Sequence, residues 1–269
     1  MCLIAFALGV SARWPLVVAA NRDEYWARPT VPLARWQTGS GCTVMSGRDL
    51  QAGGAWMGMS PTGRVAFLTN VREPGPPKLS WRSRGELVIE WLTGEQTAAS
   101  DAPALLHKLQ TQAQSGAAFG GFNLVVGDTR TGLWHWLSNR LNGQCVPPAA
   151  WPSRQLSPGV YGLSNAALNT PWPKTIQATS QLKTAVDSSR SADELAEALW
   201  AAMACRTQFC TAAAASSRHV ARSGIGLVQC AGEFSRTPLR YPQQHAADDH
   251  GARQRRLAND DARAPTAVG

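Results

Sequence analysis

Ala19-Ala20-Asn21-Arg22-Asp23-Glu24-Tyr25-Trp26-Ala27-Arg28-Pro29, AANRDEYWARP, is the stretch on which the fold turns. The apolar run Leu16–Ala20 ends abruptly in one amide and three charges. Charges set against the end of an apolar strand are costly unless they pair, meet water or do chemistry. What lies opposite them therefore matters more than the cluster itself.

Working outward, Leu3–Val10 and Leu16–Ala20 are two apolar runs separated by Ser11-Ala12-Arg13-Trp14-Pro15, the pattern of a paired hairpin. Neither run alternates with polar residues, so both faces of the hairpin are expected to be covered. Centring the turn on Ala12-Arg13 makes opposed positions sum to 25 and sets Cys2 across from Asp23, or from Glu24 with a turn one residue longer. Asn21 and Asp23 then share a face with Cys2, while Arg22 and Glu24 point away unless a bulge intervenes.

That placement gives Cys2 a chemical reading. Removal of Met1, which a small second residue favours, would put a thiol and a free α-amine on one residue. With an α-amine pKa of about 7.7–8.0 and a thiol pKa of about 8.5, the amine can take the sulfur's proton near neutrality without a histidine. Asp23 would orient the ammonium. The bland alternative is that Cys2 is a small apolar residue opening a strand.

Other hairpins follow: Gly53-Gly54-Ala55-Trp56-Met57-Gly58-Met59-Ser60 with Arg64–Asn70 about Pro61-Thr62-Gly63, then Phe122–Gly127 with Leu133–Leu137. Val160–Ser164 reads as a further strand. Helical spacing runs through Arg84–Leu92, through Ala102–Gln112 behind the cap Asp101, and through Lys174–Val186 and Ala192–Met203. Hairpins interrupted by helix pairs indicate an α+β protein with mostly antiparallel sheets. Ser83-Arg84-Gly85-Glu86 reads as a capped helix start with an acidic first turn. In Trp134-His135-Trp136, alternation puts the tryptophans on one face and the histidine on the other, which suits core packing better than a haem ligand.

Composition narrows the function classes. The 269 residues carry 44% hydrophobic and 16% charged side chains, and a net charge of +8. Residues 205–269 hold 9 basic and 5 acidic side chains, so a quarter of the chain supplies half the excess. No basic run interleaved with aromatics tracks a nucleic-acid backbone, and none is expected to bind. The cysteines at 2, 42, 145, 205, 210 and 230 show neither a CxxC pair nor metal spacing, which points to a reducing, cytoplasmic setting. MCLIAFALGV lacks a basic leader and a cleavage site, and no apolar run reaches the roughly 18–20 residues of a transmembrane helix.

MCLIAFA, AANRDEYWARP, Gly53–Gly58, Leu68-Thr69-Asn70, Ser83–Leu87, Gly121-Phe122-Asn123-Leu124 and Tyr161–Asn165, in this order, resemble the NRDE family, also called the transport and Golgi organisation family. The likeness runs over roughly residues 1–204. The family is similar to N-terminal nucleophile hydrolases of the choloylglycine hydrolase and penicillin V acylase type. The resemblance implies a four-layer αββα sandwich and an amide-hydrolysing site with Cys2 as nucleophile and Asp23 holding the α-amine. It further implies that Asn70 and Asn165 serve the oxyanion and the amine. The hydrolases' arginine stands a few residues before their aspartate, whereas Arg22 adjoins Asp23, so its role transfers less cleanly. No bound cofactor is implied. A small acylated amide is the substrate expected of a hydrolase or acyltransferase, and haem or a lipid such as acyl-CoA is the ligand expected of a non-catalytic family member.

The resemblance stops after the last helix pair. Family members continue with a strand bearing a YGTR-like segment, which residues 205–269 lack. Residues 1–235 are assigned to the sandwich, with 205–235 departing from the family, and 236–269 to a disordered tail poor in large apolar residues. Residues 239–251 can be back-translated so that the +1 frame encodes YGTRSNTLLMTMG, which suggests a shifted reading frame.

Overall fold

The computed structural model describes residues 2–25, 27–73, 82–94, 101–116, 118–204 and 220–229, with side chains throughout except at Asp23, Tyr25 and 220–229. The tail expected to be disordered lies outside the described residues.

Among the described residues, thirteen strands and four helices run in the order β1 (Leu3–Leu8), β2 (Leu16–Tyr25), β3 (Thr30–Gln37), β4 (Thr43–Asp49), β5 (Met57–Met59), β6 (Arg64–Asn70), α1 (Gly85–Thr93), α2 (Ala102–Gln114), β7 (Phe122–Asp128), β8 (Leu133–Ser138), β9 (Arg140–Leu141), β10 (Gln144–Cys145), β11 (Ser153–Leu156), β12 (Gly159–Leu163), α3 (Pro173–Ser188), α4 (Ala192–Ala204) and β13 (Val220–Gln229). One sheet has the order β12-β1-β2-β13 and a second the order β11-β8-β7-β6-β5-β4-β3, all pairs antiparallel. β9 and β10 form a small separate ribbon.

Three apolar clusters define four layers. Between the sheets, Ile4, Phe6 and Val18 of the smaller sheet meet Phe67, Val125, Trp134 and Trp136 of the larger. On the outer side of the smaller sheet, Ala5, Ala7, Val17 and Ala19 meet Leu182 of α3 and Leu195, Leu199 and Met203 of α4. On the outer side of the larger sheet, Leu68, Phe122 and Leu124 meet Leu87 and Trp91 of α1 and Leu105 and Leu109 of α2. The arrangement is an αββα sandwich. β1 and β2 are covered on both faces because each face has its own apolar partner layer, which is why they carry no polar alternation.

The opening hairpin departs from its expected register by one residue. Leu3 pairs with Asn21 and Leu8 with Leu16, so opposed positions sum to 24 and the loop is centred on Ala12. The cause lies in the loop. Gly9 adopts φ +57°, its N–H donates to Pro15 O at 2.8 Å, and Trp14 turns into the core beneath α3 and α4. An odd-numbered loop with a buried tryptophan cannot centre between two residues. Continued by one pair, the ladder brings Cys2 across from Arg22 and not from Asp23.

Most of the expected elements form where the pattern placed them. Asp101 caps α2 by accepting from Ala104 N at 2.9 Å. Ser83 is not the cap of α1: Arg84 occupies that position without a side-chain cap bond, and Glu86 instead reaches back to accept from Ser83 N at 3.1 Å. Trp134 and Trp136 lie between the sheets and His135 is half-buried, its pKa pushed below the ordinary value by burial against an opposing pull from Asp101. Among the described residues no helix is long and apolar enough to cross a membrane.

Candidate functional site

Three strand ends meet where the two sheets open. Ser164, just past β12, donates its hydroxyl to Cys2 O at 2.6 Å, and its own carbonyl accepts from Thr69 Oγ1 of β6 at 2.6 Å. Asn165 Nδ2 donates to Asn70 O at 2.8 Å, and Arg72 N donates to Asn165 O at 2.9 Å. Thr69 also accepts from Asn123 Nδ2 at 3.3 Å, and that amide's oxygen accepts from Trp136 Nε1 at 3.3 Å. The start of β1, the end of β6 and the end of β12 are thereby laced into one rim. Cys2 is half-buried within it. Cys2, Asn70 and Asn165, 163 positions apart at the extremes, are brought together as three members of that rim.

The charged cluster splits across the sheet. Odd-numbered Ala19 and even-numbered Ala20 face the helices and the sheet interface respectively. Asn21 follows the first: its Nδ2 donates to Met203 O at 3.0 Å, near the C-terminal end of α4, where a carbonyl lacks a helical partner. The expectation that Asn21 accompanies Cys2 is corrected by this contact. Arg22 follows the second, 8% exposed, into the space between the sheets. The expectation that Arg22 and Glu24 point away from Cys2 is corrected too, and the one-residue register difference is the physical reason for both.

Arg22 Nη2 donates to Glu24 Oε2 at 3.0 Å and to Asp49 Oδ2 at 3.2 Å. Asp49 Oδ2 also accepts from Arg28 Nε at 2.7 Å, while Oδ1 accepts from the N–H groups of Gln51 and Ala52, each at 3.0 Å. Burial works against the ionised carboxylate, but the Ala52 N–H, Arg28 and Arg22 outweigh it, and the Asp49 pKa lies below its ordinary value. A recess beside Arg22 is walled by Val31, Leu33, Gly47, Trp56 and Met57.

A second arginine enters from another element. Arg84, at the start of α1, donates Nη1 to Gly121 O at 3.2 Å. Gly121 N donates to Glu73 Oε2 at 2.5 Å, and the other Glu73 oxygen is gripped by Arg140 through Nε at 2.9 Å and through Nη2. Burial disfavours the charged Arg84 guanidinium and pushes its pKa down; Glu73 and Cys2 act in the opposite direction, and Arg28 and Arg140 add to the lowering. Arg84 is held in place by backbone contact. A Cβ on Gly54 would stand 2.6 Å from the Gly85 carbonyl carbon, and one on Gly85 would stand 2.9 Å from Ala55 N. The Gly53-Gly54-Ala55 and Ser83-Arg84-Gly85 motifs exist to touch each other. The sequence pattern marks Arg84 only as a helix start; its bond to Gly121 O stands beside that glycine contact, which no local pattern announces.

The profile of the family described as Transport and Golgi organisation 2 matches residues 1–227. The chain belongs to that family. The Transport and Golgi organisation 2 match thus passes residue 204 and ends inside β13. Similar proteins include the human Transport and Golgi organization protein 2 homolog, 35% identical over 200 residues that cover 71% of this chain and 66% of that one. The Drosophila melanogaster Transport and Golgi organization protein 2 is 27% identical over 135 residues, covering 46% and 45%. The chain therefore matches just under two thirds of the human relative's length. Among solved structures, a Caenorhabditis elegans N-acylethanolamine-hydrolyzing acid amidase ortholog is similar at 13% identity with a TM-score of 0.39, covering 74% of this chain and 85% of that one. Penicillin V acylase from Agrobacterium tumefaciens is similar at 10% identity with the same TM-score, covering 75% and 71%.

Proposed function

We propose that this Transport and Golgi organisation 2 family member is an N-terminal-cysteine amidohydrolase or acyltransferase acting on a small acylated amide. The observation that carries the reading is the position of Cys2, half-buried at the open end of both sheets and tied through its carbonyl to the rim that holds Asn70 and Asn165. With Met1 removed, the Cys2 α-amine takes the thiol proton and the thiolate attacks the substrate carbonyl. A C–S bond forms as the carbonyl π pair moves to oxygen. Collapse of that oxyanion expels the amine, which receives the proton held by the α-amine, leaving a thioester on Cys2. Water, or an acceptor amine or alcohol, then attacks the thioester and returns the thiol.

Asn70 suits an oxyanion donor, since its side chain is exposed at the rim while its backbone oxygen is already engaged by Asn165. One such donor is worth about 10²–10³ in rate. Asp23 is assigned the α-ammonium on the family resemblance alone; its backbone stands one residue past the position opposite Cys2.

Mass measurement of the N-terminal peptide, combined with timed iodoacetamide labelling, tests the reading without a substrate. The expected result is a chain beginning at Cys2 whose thiol labels faster than Cys42 and Cys145. A mature chain that retains Met1 would displace the base and sink the mechanism.

A further inference from the structure

We infer that Thr69, Asn123 and Ser164 form a positioning device that sets the Cys2 sulfur against the Asn70 carboxamide. The inference rests on the reading of Cys2 as nucleophile and Asn70 as oxyanion donor, and deepens it.

The need for such a device follows from the topology. Cys2 precedes β1 of the smaller sheet and Asn70 ends β6 of the larger, so no strand ladder fixes the spacing between them. The faces that join the two sheets are apolar, and apolar contact has no preferred direction. A nucleophile and its oxyanion donor must keep their relative place to within about 0.5 Å. Directional bonds between the sheets are therefore required at this end of the sandwich.

Such bonds are present, and they are buried. Thr69 and Asn123 stand directly opposite each other on β6 and β7, 1% and 0% exposed, and Ser164 is 3% exposed. Three successive carbonyls past the end of β12 accept from β6, β7 and the residues that follow β6. Ser164 O accepts from Thr69 Oγ1 at 2.6 Å, Asn165 O from Arg72 N at 2.9 Å, and Ala166 O from Asn123 Nδ2 at 2.8 Å. From the segment so held, Ser164 Oγ reaches back to Cys2 O at 2.6 Å.

The protons have a single order. Trp136 Nε1 can only donate, so it takes Asn123 Oδ1 as its acceptor at 3.3 Å and leaves the Nδ2 hydrogens to Thr69 and Ala166. Thr69 Oγ1 accepts one of them and gives its own hydrogen to the Ser164 carbonyl, which can only accept. Each side-chain polar atom of Thr69 and Asn123 has a partner, and a buried network so satisfied is rigid. The bond to Cys2 O then fixes the plane of that carbonyl, and with it the Cα that carries both the amine and the thiol. The Gly121-Phe122-Asn123-Leu124 motif thereby has a part in the site that its place in a buried strand hides.

The test compares two reactions of the Cys2 thiol in the full chain. With p-nitrophenyl acetate a C–S bond forms, the carbonyl π pair moves to oxygen and returns, nitrophenolate leaves with its bonding pair, and the thiol proton passes to the α-amine. Iodoacetamide alkylates the same sulfur by displacing iodide, with no oxyanion. Exposure and thiolate fraction act on both rates, so their ratio, read by mass spectrometry at Cys2 with Cys42 as reference, reports on oxyanion geometry. In the parent the ratio at Cys2 should exceed that at Cys42 by about 10²-fold. Thr69→Val keeps the shape and loses the hydroxyl, and should lower the ratio about tenfold; Thr69→Ser keeps the hydroxyl and should stay within about threefold of the parent. Ser164→Ala removes the bond to Cys2 O and leaves the carbonyl ties; it should fall as Thr69→Val does, and stands in if that variant does not fold. An undiminished ratio in Thr69→Val and Ser164→Ala, with the parent raised, overturns this inference alone. A ratio in Thr69→Ser as low as in Thr69→Val also overturns it, because the methyl group and not the hydroxyl is then at work. Loss of the thermal unfolding transition in all three variants would make the network a tie of the fold and equally overturn it. A parent ratio no higher than that of Cys42 sinks the hydrolase reading itself, and this inference with it.

Discussion

Asp49 shows how a single carboxylate can decide the surroundings of a site that it does not enter. One oxygen caps the turn after β4 through two N–H groups and the other gathers Arg22 and Arg28. Asp49→Asn keeps an oxygen for the turn but loses the charge that compensates a buried guanidinium, and is expected to lower stability by about 1–3 kcal/mol at neutral pH. The folded carboxylate has its pKa depressed below the ordinary 3.8, so its contribution is complete above that value and disappears as pH falls through the lower folded value. Urea unfolding of parent and variant should therefore differ at about pH 6, with the gap narrowing as the pH falls below the ordinary 3.8. An undiminished gap in acid would show that shape, not charge, is at stake. At this scale the sequence announced the cluster at Asn21–Glu24 but not its partner. Asp49 sits 27 positions beyond Arg22 in no motif, and only the antiparallel path through β3 and β4 brings the two together.

Elements were more legible than residues, and the exceptions have physical causes. The apolar runs of β1, β2, β6 and β7 are buried on both faces, so their composition alone declares them, and the four helices carry clear apolar stripes. β3 is exposed along most of both faces and contains Pro32, so it shows neither alternation nor an apolar run. β11 has three exposed residues in four. Such strands exist because a neighbour offers a hydrogen-bonding edge, a fact that their own residues do not encode. Tight contacts between elements are equally silent until the fold is known, and Gly85 is the sharpest case. Gly85→Ala would drive a Cβ to 2.9 Å from the backbone N and O of Ala55 and force α1 away from the Gly53–Ala55 loop. We expect a loss of about 1–3 kcal/mol in thermal or urea unfolding. Gly39→Ala, where a Cβ meets nothing within 4 Å, should stay within about 0.5 kcal/mol and serves as the control.

At the scale of the molecule the two sheets are unequal. Among the described residues, seven strands of one sheet face four of the other, and β3 at the far edge is exposed on both faces. Among the described residues β13 pairs with β2, with a register shift between Ser223 and Ile225. The family profile ends within that strand, at residue 227. Further strands beyond β13 would extend the smaller sheet across the recess beside Arg22 toward β3, and the +1 reading of residues 239–251, YGTRSNTLLMTMG, supplies β-branched and apolar residues suited to such a strand. The coding nucleotides are therefore expected to show a single-base offset between codons 227 and 239 that restores the family pattern. Protein made from the restored frame should unfold at a higher temperature than the present chain and should aggregate less. If no one-base change restores the pattern, residues 228–269 are a true divergence from the family.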